Sequence, residues 1–195
     1  RASAATRVNA DGNIEKERKN EILQSNAFNT SWSTYNLASR TGGQAGYDGS
    51  NDAWLIDKNG AGGRIYQNIT ASQSVNTFSI YAKAGTLNWI RLLPFNGGDV
   101  FYDLTGSGAI GTSAGDIDST ITSVGGGWFR CTISVNNTIN QIRVYPADFD
   151  GNTSGTSGNI LIQDAQLEQG LVARDVITTT TTALYGGITD NTPRL

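Results

Sequence analysis

Between residues 53 and 167 the sequence is cut into short segments rich in β-branched and aromatic residues, separated by glycine, asparagine, serine and threonine. They are AWLIDK (53–58), RIYQNIT (64–70), NTFSIYAKA (76–84), NWIRLLPF (88–95), DVFYDL (99–104), TITSV (120–124), WFRCTISV (128–135), QIRVYPA (141–147) and NILIQDAQL (159–167). Turn signals recurring every 8–12 residues or so fit antiparallel strands rather than crossover helices. Within WFRCTISV, Phe129, Cys131, Ile133 and Val135 alternate with Trp128, Arg130, Thr132 and Ser134. A period of two therefore puts an apolar set on one face and a tryptophan and an arginine on the other. Phe78, Ile80 and Ala82 oppose Ser79, Tyr81 and Lys83 in the same way, and Ile142 and Val144 oppose Arg143 and Tyr145. Two packed sheets, each with one polar outer face, are the simplest way to bury so many half-apolar strands.

A chain of 195 residues can bury such a core without staples. Its single cysteine, Cys131, lies on the apolar side of its segment and reads as a small buried hydrophobe. There is no histidine, which removes the commonest general base and the commonest transition-metal ligand, so an enzyme is not expected. Lysines and arginines are scattered in a chain of net charge -3, without the basic stripe that a phosphate backbone requires, so nucleic acid is not an expected partner. No apolar run approaches the roughly 20 residues of a membrane span, and no membrane insertion is expected. The absence of methionine, even at position 1, predicts a processed or excised piece of a longer chain.

The ends differ in character from the middle. Residues 1–20 are polar and charged, the composition of an arm or linker, although IEKERKNEIL (14–23) offers a thin apolar stripe for a short helix. The expected division is an arm at 1–20, a sandwich domain at 21–177 and an extended arm at 178–195, which carries the threonine run 178–182. Threonine runs favour extended backbone but bury little, so this tail is expected to lie along another surface.

Several motifs lose their meaning in context. GSGAIG (106–111) matches a dinucleotide fingerprint, but no helical period follows it, and it reads as a hairpin loop. The loop 148–159 opens like a calcium loop with Asp148, Asp150 and Asn152, yet Asn159 stands where a bidentate glutamate should close it. A looser calcium site there remains open. Asp103, Asp116, Asp118 and Asp164 fall in or beside turns, where aspartate is ordinary, and nothing pairs two of them for acid-base work.

What remains is the non-core face of the strands. Trp128 and Arg130 share a face, as do Trp89 and Arg91, Arg143 and Tyr145, and Tyr81 with Lys83. In one sheet they would set flat rings beside fixed hydrogen-bond forks, which suits the C–H faces and hydroxyls of sugars. The competing reading is that these rings plug the sandwich or meet a neighbouring subunit.

The blocks NEILQSNAFNTSW (20–32), GQAGYDGSNDAWLI (43–56), TFSIYAKAGTLNWIRL (77–92), FYDLTGSGAIGT (101–112), ITSVGGGWFRCTISV (121–135) and DAQLEQG (164–170) occur in this order. Together they resemble the carbohydrate-binding-module-like β-sandwich domain of bacteriophage virion proteins, particularly tail and fibre proteins. The flanks ATRVNADGNIE (5–15) and TPRL (192–195) are similar to the junctions of such domains. The resemblance implies a jelly-roll, no catalytic residues, and a virion (extracellular) location; with the nine segments above, the expected fold is an all-β jelly-roll β-sandwich of about nine antiparallel strands. It implies a ligand-binding face of Tyr81, Trp89, Arg91, Trp128, Arg130, Arg143 and Tyr145 directed at a cell-surface glycan. It also implies Asp164 as a metal ligand for a structural calcium ion (Ca2+). Members often carry an aromatic–glycine pair where Gln163 and Asp164 stand here. Expected partners are therefore host glycan, other virion proteins and further copies of the chain, a trimer first; the alternative is a spacer or decoration module that assembles without sugar.

Overall fold

The computed structural model of the chain describes residues 6–8, 14–16 and 18–186, with side chains described for 18–37 and 39–184. Among the described residues there is no helix; extended segments account for all regular structure. In chain order they are β1 (Thr6–Val8), β2 (Ile14–Lys16), β3 (Arg18–Asn20), β4 (Ser33–Tyr35), β5 (Leu37–Gln44), β6 (Ala53–Lys58) and β7 (Arg64–Ala84). After them come β8 (Trp89–Phe95), β9 (Asp99–Asp103), β10 (Ala109–Ala114), β11 (Asp118–Gly125), β12 (Trp128–Ala147), β13 (Gly158–Gln169) and β14 (Leu184–Gly186). The short helix expected within 14–23 does not form: β2 pairs with β1 and β3 with β14, so strand partners replace a stripe too thin to hold a helix. The junction-like flanks lie outside the described residues except at β1 and β2.

Strands β4 to β13 form one antiparallel network that doubles over into an all-β jelly-roll sandwich. The fold is made by β7 and β12, which pair with each other along almost their whole length and bend together. The first layer holds β11, the first half of β12, the second half of β7, β13, β6 and β5. The second holds β10, β9, β8, the second half of β12, the first half of β7 and β4.

Register shifts at Asn137/Ile139 and Ile139/Gln141 invert the side-chain alternation at the bend. In β12 the buried set runs Phe129, Cys131, Ile133 and Val135 before the bend and Ile142 and Val144 after it. In β7 it runs Ile65 and Ala71 before, and Phe78, Ile80 and Ala82 after. These side chains meet Ile56, Ile160, Ile162 and Leu167 from one layer and Ile90, Leu92, Val100 and Tyr102 from the other in a single core. Each large side chain so buried stabilises by about 1.5–3 kcal/mol. Cys131 is fully buried there, and burial pushes its thiol pKa up.

The three glycines before Trp128 are explained by the hairpin they make. Gly125, Gly126 and Gly127 have φ of 94, 60 and 79°, a succession of left-handed residues that side chains would resist. Asp164 keeps a side chain in the same region, as Gln24, Asn36 and Asn96 also do, with φ 51° at a bulge between Gln163 and Gln166 in β13. Aspartate tolerates this region better than most residues.

The segments that flank the sandwich, residues 18–25 and 177–186, are tied to each other and to β13. Leu184 pairs with Asn20 and Gly186 with Arg18. Asn20, fully buried, donates to the carbonyls of Ala165 (3.2 Å) and Ile177 (2.9 Å) and accepts from the amides of Ile22 and Leu167, both at 3.1 Å. Thr179 of the threonine run is buried and donates to the Ile22 carbonyl at 2.5 Å.

Candidate glycan-binding face

The outer surface of the second layer is an alternation of aromatic rings and guanidinium groups. Its register is set by strand pairing: Phe101 of β9 lies opposite Arg91 of β8, and Arg91 opposite Tyr145 of β12. Arg64 of β7 precedes Ile65, which pairs with Val144, so it faces Tyr145 in the antiparallel pair, and it lies opposite Tyr35 of β4. Phe101, Arg91, Tyr145, Arg64 and Tyr35 thus form one row across five strands, about 19 Å at the usual inter-strand spacing of about 4.8 Å. The next row is Leu93, Arg143 and Tyr66, and beyond it come Phe95, Gln141 and Asn68.

Cation–π contacts hold the row. The Arg64 guanidinium carbon sits 4.3 Å from the Tyr35 ring centroid, 5.5 Å from that of Tyr145 and 5.8 Å from that of Tyr66. Arg91 lies 5.1 Å from Tyr145 and 5.4 Å from Phe101, and Arg143 lies 3.9 Å from Phe95. Tyr145 is only 4% exposed because arginines cover it on both sides, whereas Tyr35 (49%) and Phe95 (37%) are open platforms. Polar contacts of the arginines are local: Arg91 with Asp99 at 2.8 Å, Arg64 with the Gly62 carbonyl at 3.1 Å, and Arg143 with Gln141. Nε of Arg64 is buried without a hydrogen-bond partner. Trp89, at the edge of this face, is half-buried against Gly111, where an added Cβ would come within 2.6 Å of the indole and 2.3 Å of Asp150.

This corrects the expectation of a single face. Of the residues read from the sequence, Trp89, Arg91, Arg143 and Tyr145 lie on the second layer, while Tyr81, Trp128 and Arg130 lie on the outer side of the first, across the sandwich. The inversion at the β7–β12 bend separates them. On the first layer the rings are also covered. Tyr47 stacks on Tyr81 with centroids 3.7 Å apart, and Val176, Leu161 and Ala53 close over Trp128, leaving it 3% exposed. Segment 170–177 crosses this face as a strap. Arg130 donates to the Arg174 carbonyl, Ser134 to that of Leu171 (3.3 Å) and Thr77 to that of Gly170 (2.6 Å), while the Ile177 amide donates to Gln166 (2.7 Å).

Sequence reasoning missed Tyr35, Arg64, Tyr66, Phe95 and Phe101. The signal for Arg64 and Tyr66 was present, because they alternate with Ile65 and Gln67 in RIYQNIT.

The residues proposed to hold calcium do not fit a cation. Among the described residues no group of three or more Asp, Glu, His or Cys side chains is arranged to hold a metal ion. Asp164 accepts a hydrogen bond from the Tyr47 hydroxyl at 3.1 Å, and burial pushes its carboxyl up to about 6, with Asp52 and Asp48 adding to the rise. Those two aspartates are engaged by Ser50 and Gln163. In the loop 148–159 both Asp148 oxygens take the buried Lys58 ammonium at 2.8 Å, Asp150 takes Thr112, and Asn152 takes Ser154. Donors thus stand where a cation would have to sit.

No family model and no curated protein matches the chain. Among solved structures it is similar to the Clostridium thermocellum N-terminal endo-1,4-beta-D-xylanase 10B CBM22-1–GH10 modules complexed with xylohexaose, at 8% identity and a TM-score of 0.41. The match covers 77% of this chain and 27% of that one.

Proposed function

We propose that the chain is a non-catalytic adhesion module that binds glycan on the outer face of its second layer. The observation that carries this reading is the in-register row of Arg91, Tyr145, Arg64 and Tyr35, extended by Arg143 and Phe95. Rings offer flat surfaces to sugar C–H faces, and guanidinium forks already braced on those rings can chelate hydroxyls at little further entropic cost. Following the resemblance of its sequence blocks, we place the module on a phage particle, as a tail or fibre component, with a host-surface glycan as its ligand. A glycan array and host-polysaccharide pull-down test this. Binding that is lost in Tyr35→Ala and Phe95→Ala, with an unchanged melting curve, supports the reading; a blank array and unaltered host attachment by these variants refute it.

A second reading, a structural module assembling into a trimer or other homo-oligomer, draws on the exposed apolar side chains Ile110 (45%), Ile117 (51%) and Phe149 (58%) on and beside β10. Mass photometry separates the two: a monomer that binds sugar favours adhesion, and an oligomer without sugar affinity favours assembly.

A further inference from the structure

Resting on the glycan reading, we infer that the second-layer face selects acidic glycan: chains bearing carboxylates of the uronic-acid type, held by Arg64 and Arg143. The argument starts from charge. The chain has more acidic than basic side chains, 17 against 14, yet three arginines gather on this one face. Asp99 neutralises Arg91. Among the described residues Arg64 and Arg143 have no carboxylate partner; their neighbours on this face are rings, an amide and a turn carbonyl. Asp103, opposite Trp89, and Asp150, beside Trp89, lie at the Trp89 edge of the face. The face is therefore polarised, with its positive charge unbalanced at the Tyr66 and Phe95 side.

Geometry supplies the rest. Arg143 packs 3.9 Å from the Phe95 ring and Arg64 is bracketed by Tyr35, Tyr66 and Tyr145, so both guanidinium planes are fixed before any ligand arrives. A fixed planar fork is the shape that takes a carboxylate by two parallel hydrogen bonds. A neutral sugar chain would need only the rings and amides, and would leave two half-buried cations without counter-charge. Tyr35 and Phe95 remain open to stack the sugar rings that carry the carboxylates.

The test is binding of the whole chain to polygalacturonate and hyaluronan, to the same polymers after carboxyl reduction, and to poly-glutamate, at low and high sodium chloride. The expected result is at least tenfold tighter binding to the acidic polymers than to their reduced forms, weakening with salt. Arg143→Gln and Arg64→Gln should each remove most of that preference while circular dichroism stays unchanged; should Arg64→Gln unfold, the comparison of polymers on the native chain and Arg143→Gln still decides. Equal binding of reduced and acidic polymers overturns acid selection and leaves the glycan reading standing. Binding of no polymer overturns both, and equal binding of poly-glutamate overturns selection of sugar in favour of bare polyanion attraction.

Discussion

Asp164 is a position where the fold holds a carboxylate against its preference, and replacing it with asparagine should stabilise the protein at neutral pH. The carboxyl is 8% exposed, its pKa lies near 6 instead of 3.8, and its backbone φ is 51°. Asp164→Asn keeps an oxygen to accept from Tyr47 and a residue type that tolerates the left-handed region, but removes the charge. The folded carboxyl binds its proton more tightly than the unfolded one, so folding is penalised above pH 6, and the penalty disappears as pH falls through 6 towards 4. A gap of about two pH units at about 1.4 kcal/mol each gives close to 3 kcal/mol, which solvent screening of the site trims to about 2. Urea unfolding followed by tryptophan fluorescence should show Asp164→Asn more stable than the native chain by about 2 kcal/mol at pH 7.5, by about a third of that at pH 4.5 and equal to it near pH 3, with the denaturant slope unchanged. A variant that is less stable at pH 7.5, or a difference that stays constant across this range, would refute the reasoning.

Lys58 and Asp148 form an ion pair whose ammonium end is fully buried. Asp148→Asn should cost about 3 kcal/mol in urea unfolding by leaving that ammonium uncompensated, and adding Lys58→Met should restore most of the loss. Cys131 should react with an aromatic disulfide reagent only at the global unfolding rate, because its thiol is buried and its pKa displaced upward; rapid labelling of the native protein would contradict the core placement. Val176→Asp should loosen the strap over Tyr81 and Trp128, shifting tryptophan emission to the red while the far-ultraviolet spectrum persists; an unmoved spectrum would show that Val176 does not seal that face.

Strand positions were legible because alternation is local. AWLIDK is β6 residue for residue, and NWIRLLPF and DVFYDL each differ from β8 and β9 by one residue at an end. RIYQNIT and NTFSIYAKA proved to be two parts of β7, and WFRCTISV and QIRVYPA two parts of β12, since the joints ASQSV and NNTIN extend rather than turn. That continuity is what hid the site. Trp128 and Tyr145 lie on one strand and both point away from the core, yet the register shifts near Ile139 send them to opposite sides of the sandwich. Burial of Trp128 depends on Tyr47 and Val176, 81 and 48 residues away in sequence, a pairing that no local pattern encodes. Strand β10 was read as part of a glycine loop because AIGTSA has no apolar alternation; it extends by hydrogen bonding to β9 with its side chains in solvent.

The pairing of β3 with β14 sets how the molecule would respond to load. Arg18 and Gly186 stand directly opposite each other, so a pull on the chain at these two points opens the pair rung by rung, each hydrogen bond bearing the whole force in turn. Such a zipper yields far below the tension needed to shear long strands in parallel. Under traction the first event would be detachment of the tail, and with it the uncovering of the Tyr47, Tyr81 and Trp128 rings, while the two layers and the arginine row stay intact.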